Sequence, residues 1–130
     1  MGKETELAWA AGFFDGEGCT FSNGKDYPRM VAAQMDRRPL DRLHAAVGFG
    51  IVKPVRRGGF EWVVSDWQDV RIVHMLLWPY LSQPKREQAN AKWDTFEARR
   101  ATDPQLGQGR GGAGHSTRRN DKLAHLLRTA

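Results

Sequence analysis

Leu7-Ala8-Trp9-Ala10-Ala11-Gly12-Phe13-Phe14-Asp15-Gly16-Glu17-Gly18 decides how the rest of this chain is read. It reads as one amphipathic helix ending in two carboxylates separated by a glycine. Ala8, Ala11 and Gly12 flatten part of one face, which lets a second helix backbone come close. The end is unusual. Asp15 and Glu17 stand where the helix macrodipole is negative and a carboxylate is unfavourable. Acids placed there call for a positive neighbour, and a divalent cation with oxygen ligands is the natural candidate.

Upstream, Thr5 is a candidate N-cap with Glu6 in the first turn. Downstream, Gly16 and Gly18 end the helix, and Cys19-Thr20-Phe21-Ser22 alternates like a half-buried strand. Asn23-Gly24 is a hairpin turn signal, and Arg29 to Gln34 reads as the return strand. Pro39 suits a first helical turn, and the chain is helical from there to about Val47. Ile51 to Arg56 is a third strand, Arg57-Gly58-Gly59 its turn, and Phe60 to Val64 a fourth. Pro54 makes the third strand an edge or a bulged strand. Asp66 caps a helix from about Trp67 to Leu81, and Ser82 caps a last one from Pro84 to about Arg100. The order predicts an α+β fold, αββαββα(α), with a four-stranded antiparallel sheet covered by helices on one face.

The 130 residues suit one compact domain. Residues 1–100 carry the predicted elements. Residues 101–130 begin as a Gly/Gln-rich linker and continue as a basic tail with Leu123, Leu126 and Leu127 at helical spacing. That tail holds Arg110, Arg118, Arg119, Lys122 and Arg128 against Asp103 and Asp121, so it carries much of the formal charge of +5. A positive chain favours polyanionic partners. No run spans a bilayer, and Met1 to Glu6 is too polar for a signal peptide. The single Cys19 excludes an internal disulfide and a multi-cysteine zinc site. These features predict a cytoplasmic protein (prokaryotic or phage) or an organellar one, neither secreted nor membrane-bound. His44, His74, His115 and His125 lack metal-ligand spacing and read as structural or surface residues. There is no Walker-type loop and no nucleophile elbow.

Ala10 to Gly18, AAGFFDGEG, resembles the signature of the LAGLIDADG homing endonucleases almost position for position. Glu17 replaces the more usual Asp, a change the family tolerates. The resemblance continues through VAAQMDRRPLDRL (Val31 to Leu43), through Pro79-Tyr80-Leu81, and through the K-x-x-Q-A stretch from Lys85 to Ala89. It covers roughly the first hundred residues.

The resemblance implies a single-motif enzyme that works as a homodimer, pairing through Ala8, Ala11, Gly12 and Asp15. Such an enzyme cuts double-stranded DNA at a long, near-palindromic site with Mg²⁺ and leaves short 3′ overhangs. Glu17 is then the metal-binding carboxylate, helped by the Gly16 carbonyl, while Asp15 is structural. Gln34 positions the nucleophilic water, and Lys85 stabilises negative charge at the phosphate. Alone, Asp15-Gly16-Glu17-Gly18 would read as an ordinary solvated helix end, and the downstream segments reverse that.

The open face of the sheet fits a DNA major groove. If Phe21, Val31, Trp62 and Val64 face the helices, then Thr20, Ser22, Met30, Ala32, Glu61 and Val63 face DNA. Ser22, Asn23, Lys25, Arg29, Arg37, Arg38, Lys53, Arg56, Arg57 and Glu61 are the candidate DNA contacts. The rival reading is a cleavage-inactive protein of the same fold, either a maturase that binds intron RNA or a DNA-binding regulator. A general RNA-binding module has no aromatic RNP-type segment to support it.

Overall fold

The structure is a computed structural model that describes residues 2–103, 105 and 106. The elements follow the order expected: α1 (Lys3–Glu17), β1 (Gly18–Ser22), β2 (Pro28–Gln34), α2 (Arg38–Val47), β3 (Ile51–Pro54), β4 (Phe60–Val64), α3 (Trp67–Leu77), a 3-10 turn (Trp78–Tyr80) and α4 (Gln83–Thr102). The strands form one antiparallel sheet in the order β1-β2-β4-β3. Pro54 lies in an edge strand, where its missing N–H costs no ladder bond. The expected linker and basic tail lie almost wholly outside the described residues.

Two caps differ from expectation. Helix α1 begins at Lys3 with Gly2 as its N-cap, so Thr5 is inside the first turns and caps nothing. The start is fixed by packing: the Lys3 ammonium donates to the Ala46 carbonyl, 2.9 Å away, at the end of α2. Ser82 precedes α4 but makes no side-chain cap bond to it. Asp66 caps α3 as expected, its carboxylate accepting from the Gln68 N–H at 2.8 Å.

The cross-strand register corrects the face reading of the first hairpin. Thr20 pairs with Met30 and Gly18 with Ala32, while Ala32 and Met30 pair in turn with Trp62 and Val64. Residues directly opposite share a face. Thr20, Met30, Ala32, Trp62 and Val64 therefore all lie beneath the helices, and all are buried. Ser22, opposite Pro28, has the same parity. The open face instead carries Cys19, Phe21, Arg29, Val31, Ala33, Ile51, Lys53, Glu61 and Val63. For β4 the expected faces hold.

Helix α1 turns Leu7, Ala10, Ala11 and Phe14 into the core. Phe14 packs edge-on against Trp62, whose indole donates to the Phe49 carbonyl at 2.9 Å. A methyl on Gly18 would run into the Phe14 ring, so only glycine lets the chain leave α1 this close to its own last turn. On the other flank, Arg42 of α2 lies 3.9 Å from the Trp9 ring centroid and pairs with Glu6 at 2.9 Å. That hydrogen-bonded pair lowers the Glu6 pKa.

Candidate active site at the end of helix α1

Helix α1 delivers Glu17 to the point where the chain enters β1. Glu17 is exposed and makes no hydrogen bond or ion pair among the described residues. Gly16 has lost the partner its carbonyl would have in a longer helix. That partner would be the Thr20 N–H, which donates instead to Oε1 of Gln88 at 3.0 Å. A carboxylate free among the described residues and a carbonyl that has lost its regular helical donor are therefore neighbours in sequence. Both are hard oxygen donors, the type that holds Mg²⁺ or Ca²⁺. Among the described residues no three His, Cys, Asp or Glu side chains cluster as a metal site.

Helix α4 brings the cation. Lys85 donates from Nζ to the Gly18 carbonyl at 2.5 Å, and its ammonium stands 5.9 Å from the Phe14 ring centroid. Lys85 and Gln88 sit three residues apart on one face of α4. Together they occupy the outer edge of β1, Lys85 at the Gly18 carbonyl and Gln88 at the Thr20 N–H. Gln88 falls within the K-x-x-Q-A stretch, where the resemblance implies no role for it. Its spacing from Lys85 was the available signal.

Behind this edge lies a buried relay. The Trp93 indole can only donate, so at 2.9 Å it assigns His74 Nδ1 as acceptor. The proton then sits on His74 Nε2, which lies 3.0 Å from the Thr20 hydroxyl. Burial pushes the His74 pKa down to about 4. His74 is thus a neutral structural residue joining α3, α4 and β1.

Asp15 is half-buried and accepts from both the N–H (3.1 Å) and the hydroxyl (3.0 Å) of Ser82. It ties the end of α1 to the start of α4. The expected pairing surface needs one correction. Ala11 is fully buried within the single chain, so the exposed small residues of α1 are Ala8, Gly12 and Gly16. A Cβ on Gly12 or Gly16 would meet nothing within 4 Å.

Gln34 closes β2, two residues past Ala32, the partner of Gly18. It therefore lies at the same end of the sheet as Glu17. Its own cross-strand partner is Phe60, over whose ring Arg37 stands at 5.7 Å. Arg37 also pairs with Asp41 at 3.1 Å. Arg38 is held by Asp36, with Nε 3.0 Å from the carboxylate. This contact raises the Arg38 pKa and holds Asp36 down to about 2.

Of the remaining candidate contacts, Lys53 faces Glu61 across the open face at 3.5 Å. Arg56 and Arg57 are exposed in the β3–β4 turn, at the same end as Gln34. Asn23 and Lys25 lie at the opposite end. The Asn23 side-chain oxygen accepts from the Lys25 and Tyr27 N–H groups (2.9 and 3.1 Å), so it shapes the loop. Arg29 is on the open face, and its Nε is buried with no hydrogen-bond partner among the described residues.

No protein-family model and no curated protein matches the chain. Solved structures do. The homing endonuclease I-CvuI, in complex with the I-CreI target in the presence of Mg with the DNA not cleaved, is 28% identical at a TM-score of 0.57. That match covers 68% of this chain and 63% of I-CvuI, so it spans less than two thirds of the neighbour's length. I-CvuI bound to its own target in the presence of Ca matches at 23% identity and a TM-score of 0.63, over 95% of this chain and 83% of that one.

The chain has the LAGLIDADG homing endonuclease fold.

A third LAGLIDADG neighbour, the homing endonuclease I-TnaI, extends the likeness to 92% of this chain and 97% of that one, with 17% identity and a TM-score of 0.57. No helix among the described residues is long and apolar enough to cross a membrane.

Proposed function

We propose that this protein is a homing endonuclease that acts as a homodimer and hydrolyses a phosphodiester in each strand of a near-palindromic DNA site with Mg²⁺. The observation that carries this reading is the exposed Glu17 carboxylate beside the Gly16 carbonyl, whose regular helical donor is diverted to Gln88, with the Lys85 ammonium bound one residue further on. Glu17 and Gly16 would hold the metal, which when bound supplies charge neutralisation and a more acidic water. The ammonium of Lys85 stabilises negative charge at the phosphate oxygens. The Gln34 amide orients the attacking water.

One chain offers one such carboxylate, so two strands require two chains. The exposed Ala8, Gly12 and Gly16 suit close approach of a second α1, since no described residue fills the space beside the glycines. The open sheet face offers Arg29, Lys53 and Glu61 to base edges and phosphates, with Phe21, Val31 and Ile51 for apolar contact. Arg37, Arg38 and Lys53 are exposed, and their solvent-screened ion pairs with Asp41, Asp36 and Glu61 are readily exchanged for phosphate.

The test incubates the protein with a plasmid carrying the uninterrupted host locus, with and without Mg²⁺. A defined double-strand break that vanishes in Glu17→Gln while binding persists supports the proposal. Binding to DNA or intron RNA without cutting by the native protein would identify a regulator or a maturase instead.

A further inference from the structure

At the end of β2, three strands meet in register: Gln34 lies opposite Phe60, and Phe60 opposite Pro54. The β3–β4 turn that follows Pro54 is closed by the Gly58 N–H to the Val55 carbonyl (2.9 Å) and the Val55 N–H to the Gly59 carbonyl (3.0 Å). Its last residue presses on the end of β2. A Cβ on Gly59 would lie 2.9 Å from the Gln34 carbonyl oxygen, 3.0 Å from Met35 Sδ and 3.3 Å from Met35 Cα. The Met35 side chain is 77% exposed and can swing away. The Gln34 carbonyl is backbone and moves only if the residue moves.

We propose that Gly59 is a positioning residue for Gln34. The bare Cα of Gly59 is the stop against which the end of β2 rests, and it sets where the Gln34 amide points. This rests on the Proposed function, in which Gln34 orients the attacking water. The same turn carries Arg56 and Arg57, so a phosphate gripped there bears on Gln34 through Gly59.

Gly58 supplies a matched control. Both glycines have positive φ, +113° at Gly58 and +78° at Gly59, so alanine strains the backbone at either. At Gly58, however, the new Cβ would meet only Met35 Cε at 3.9 Å. Backbone strain is common to both variants, and displacement of Gln34 belongs to one.

The experiment compares wild type, Gly58→Ala, Gly59→Ala, Gln34→Ala and the Gln34→Ala/Gly59→Ala double variant. The probe is a pool of supercoiled plasmids with randomised palindromic inserts in Mg²⁺, with Gln34 backbone and side-chain amide signals followed by NMR. Gly59→Ala is expected to shift the Gln34 signals and to slow cleavage turnover on the order of ten- to a hundred-fold. Its DNA affinity should match that of Gly58→Ala, which should cut within a few-fold of wild type. In the Gln34→Ala background, Gly59→Ala should cause little further loss. Equal effects of the two glycine variants on turnover and on the Gln34 signals, or full additivity with Gln34→Ala, would overturn the proposal. A wild-type protein that cuts no plasmid defeats the nuclease reading alone, and the Gln34 signals then decide whether Gly59 sets its position.

Discussion

Lys85 donates a hydrogen bond from its ammonium to the carbonyl of Gly18, one residue beyond Glu17, and so fixes a cation beside the acid at the end of α1. The contact crosses 67 residues of sequence and joins the last helix to the first turn of the sheet. Lys85→Met should therefore separate two effects. Binding of target DNA should fall by no more than a few-fold, whereas cleavage should drop by roughly 10²–10³, the usual cost of removing one charge-stabilising donor. Parallel gel-shift and single-turnover cleavage assays check this. Equal losses in both would assign Lys85 to binding alone.

Acid should weaken the fold through His74. Its ordinary pKa of 6.5 is pushed down to about 4 by burial. Above pH 6.5 the ring is neutral in both states and adds no pH dependence. Between 6.5 and about 4 the unfolded chain takes up a proton that the folded chain refuses, so stability falls as pH falls. The slope approaches about 1.4 kcal/mol per pH unit, for a loss on the order of 3 kcal/mol across the window. Urea unfolding of wild type and His74→Gln at pH 7 and pH 4.5 isolates this contribution. The pH-dependent loss should be smaller in the variant, and identical losses would remove His74 as the cause.

Asp15 and Ser82 should behave as one unit. Asp15→Ala leaves the Ser82 N–H without its acceptor and should cost ~1–3 kcal/mol. Ser82→Ala removes only the hydroxyl contact and should cost about 1 kcal/mol. A double-mutant cycle by thermal or urea unfolding should show coupling of at least about 0.5 kcal/mol. Additive losses would show that the carboxylate holds the N–H alone.

Gly12 separates folding from pairing. Gly12→Ala should stabilise the isolated subunit by up to ~1 kcal/mol, since the helix gains propensity and the methyl meets nothing. Gly12→Leu should fold as well but remain monomeric, as read by sedimentation velocity and by loss of double-strand cutting. A dimeric Gly12→Leu would move the pairing surface away from α1.

Much of this architecture was legible because local signals agreed with the packing. Phe60 to Val64 is a strand at the expected residues, Asp66 caps α3, and Pro54 marks an edge. The face of the first hairpin was not legible. Strand alternation gives two faces but does not say which is covered, and Phe21 and Val31 are more apolar than Thr20 and Ala32. The covered face takes the smaller set because α1 and α4 come close there. Thr20 is buried to meet His74, a bond between residues 54 positions apart that no local pattern encodes. Thr5 resembled a cap because threonine suits one, yet α1 starts earlier, where the Lys3 ammonium reaches the Ala46 carbonyl of α2. At the site, the motif marked Glu17 and Gly16, whereas the link from Lys85 and Gln88 to β1 depended on how α4 folds back.

Gly12 and Gly16 carry a last consequence. Each weakens α1 by about 1 kcal/mol relative to alanine, and no internal contact demands either. With pairing through this stripe, the lone subunit is the less stable species, and the amount of active protein rises with the square of its concentration. A cell making few copies would hold mostly inert single chains. The two glycines would then act as a dosage threshold, keeping a DNA-cutting activity silent until expression is high.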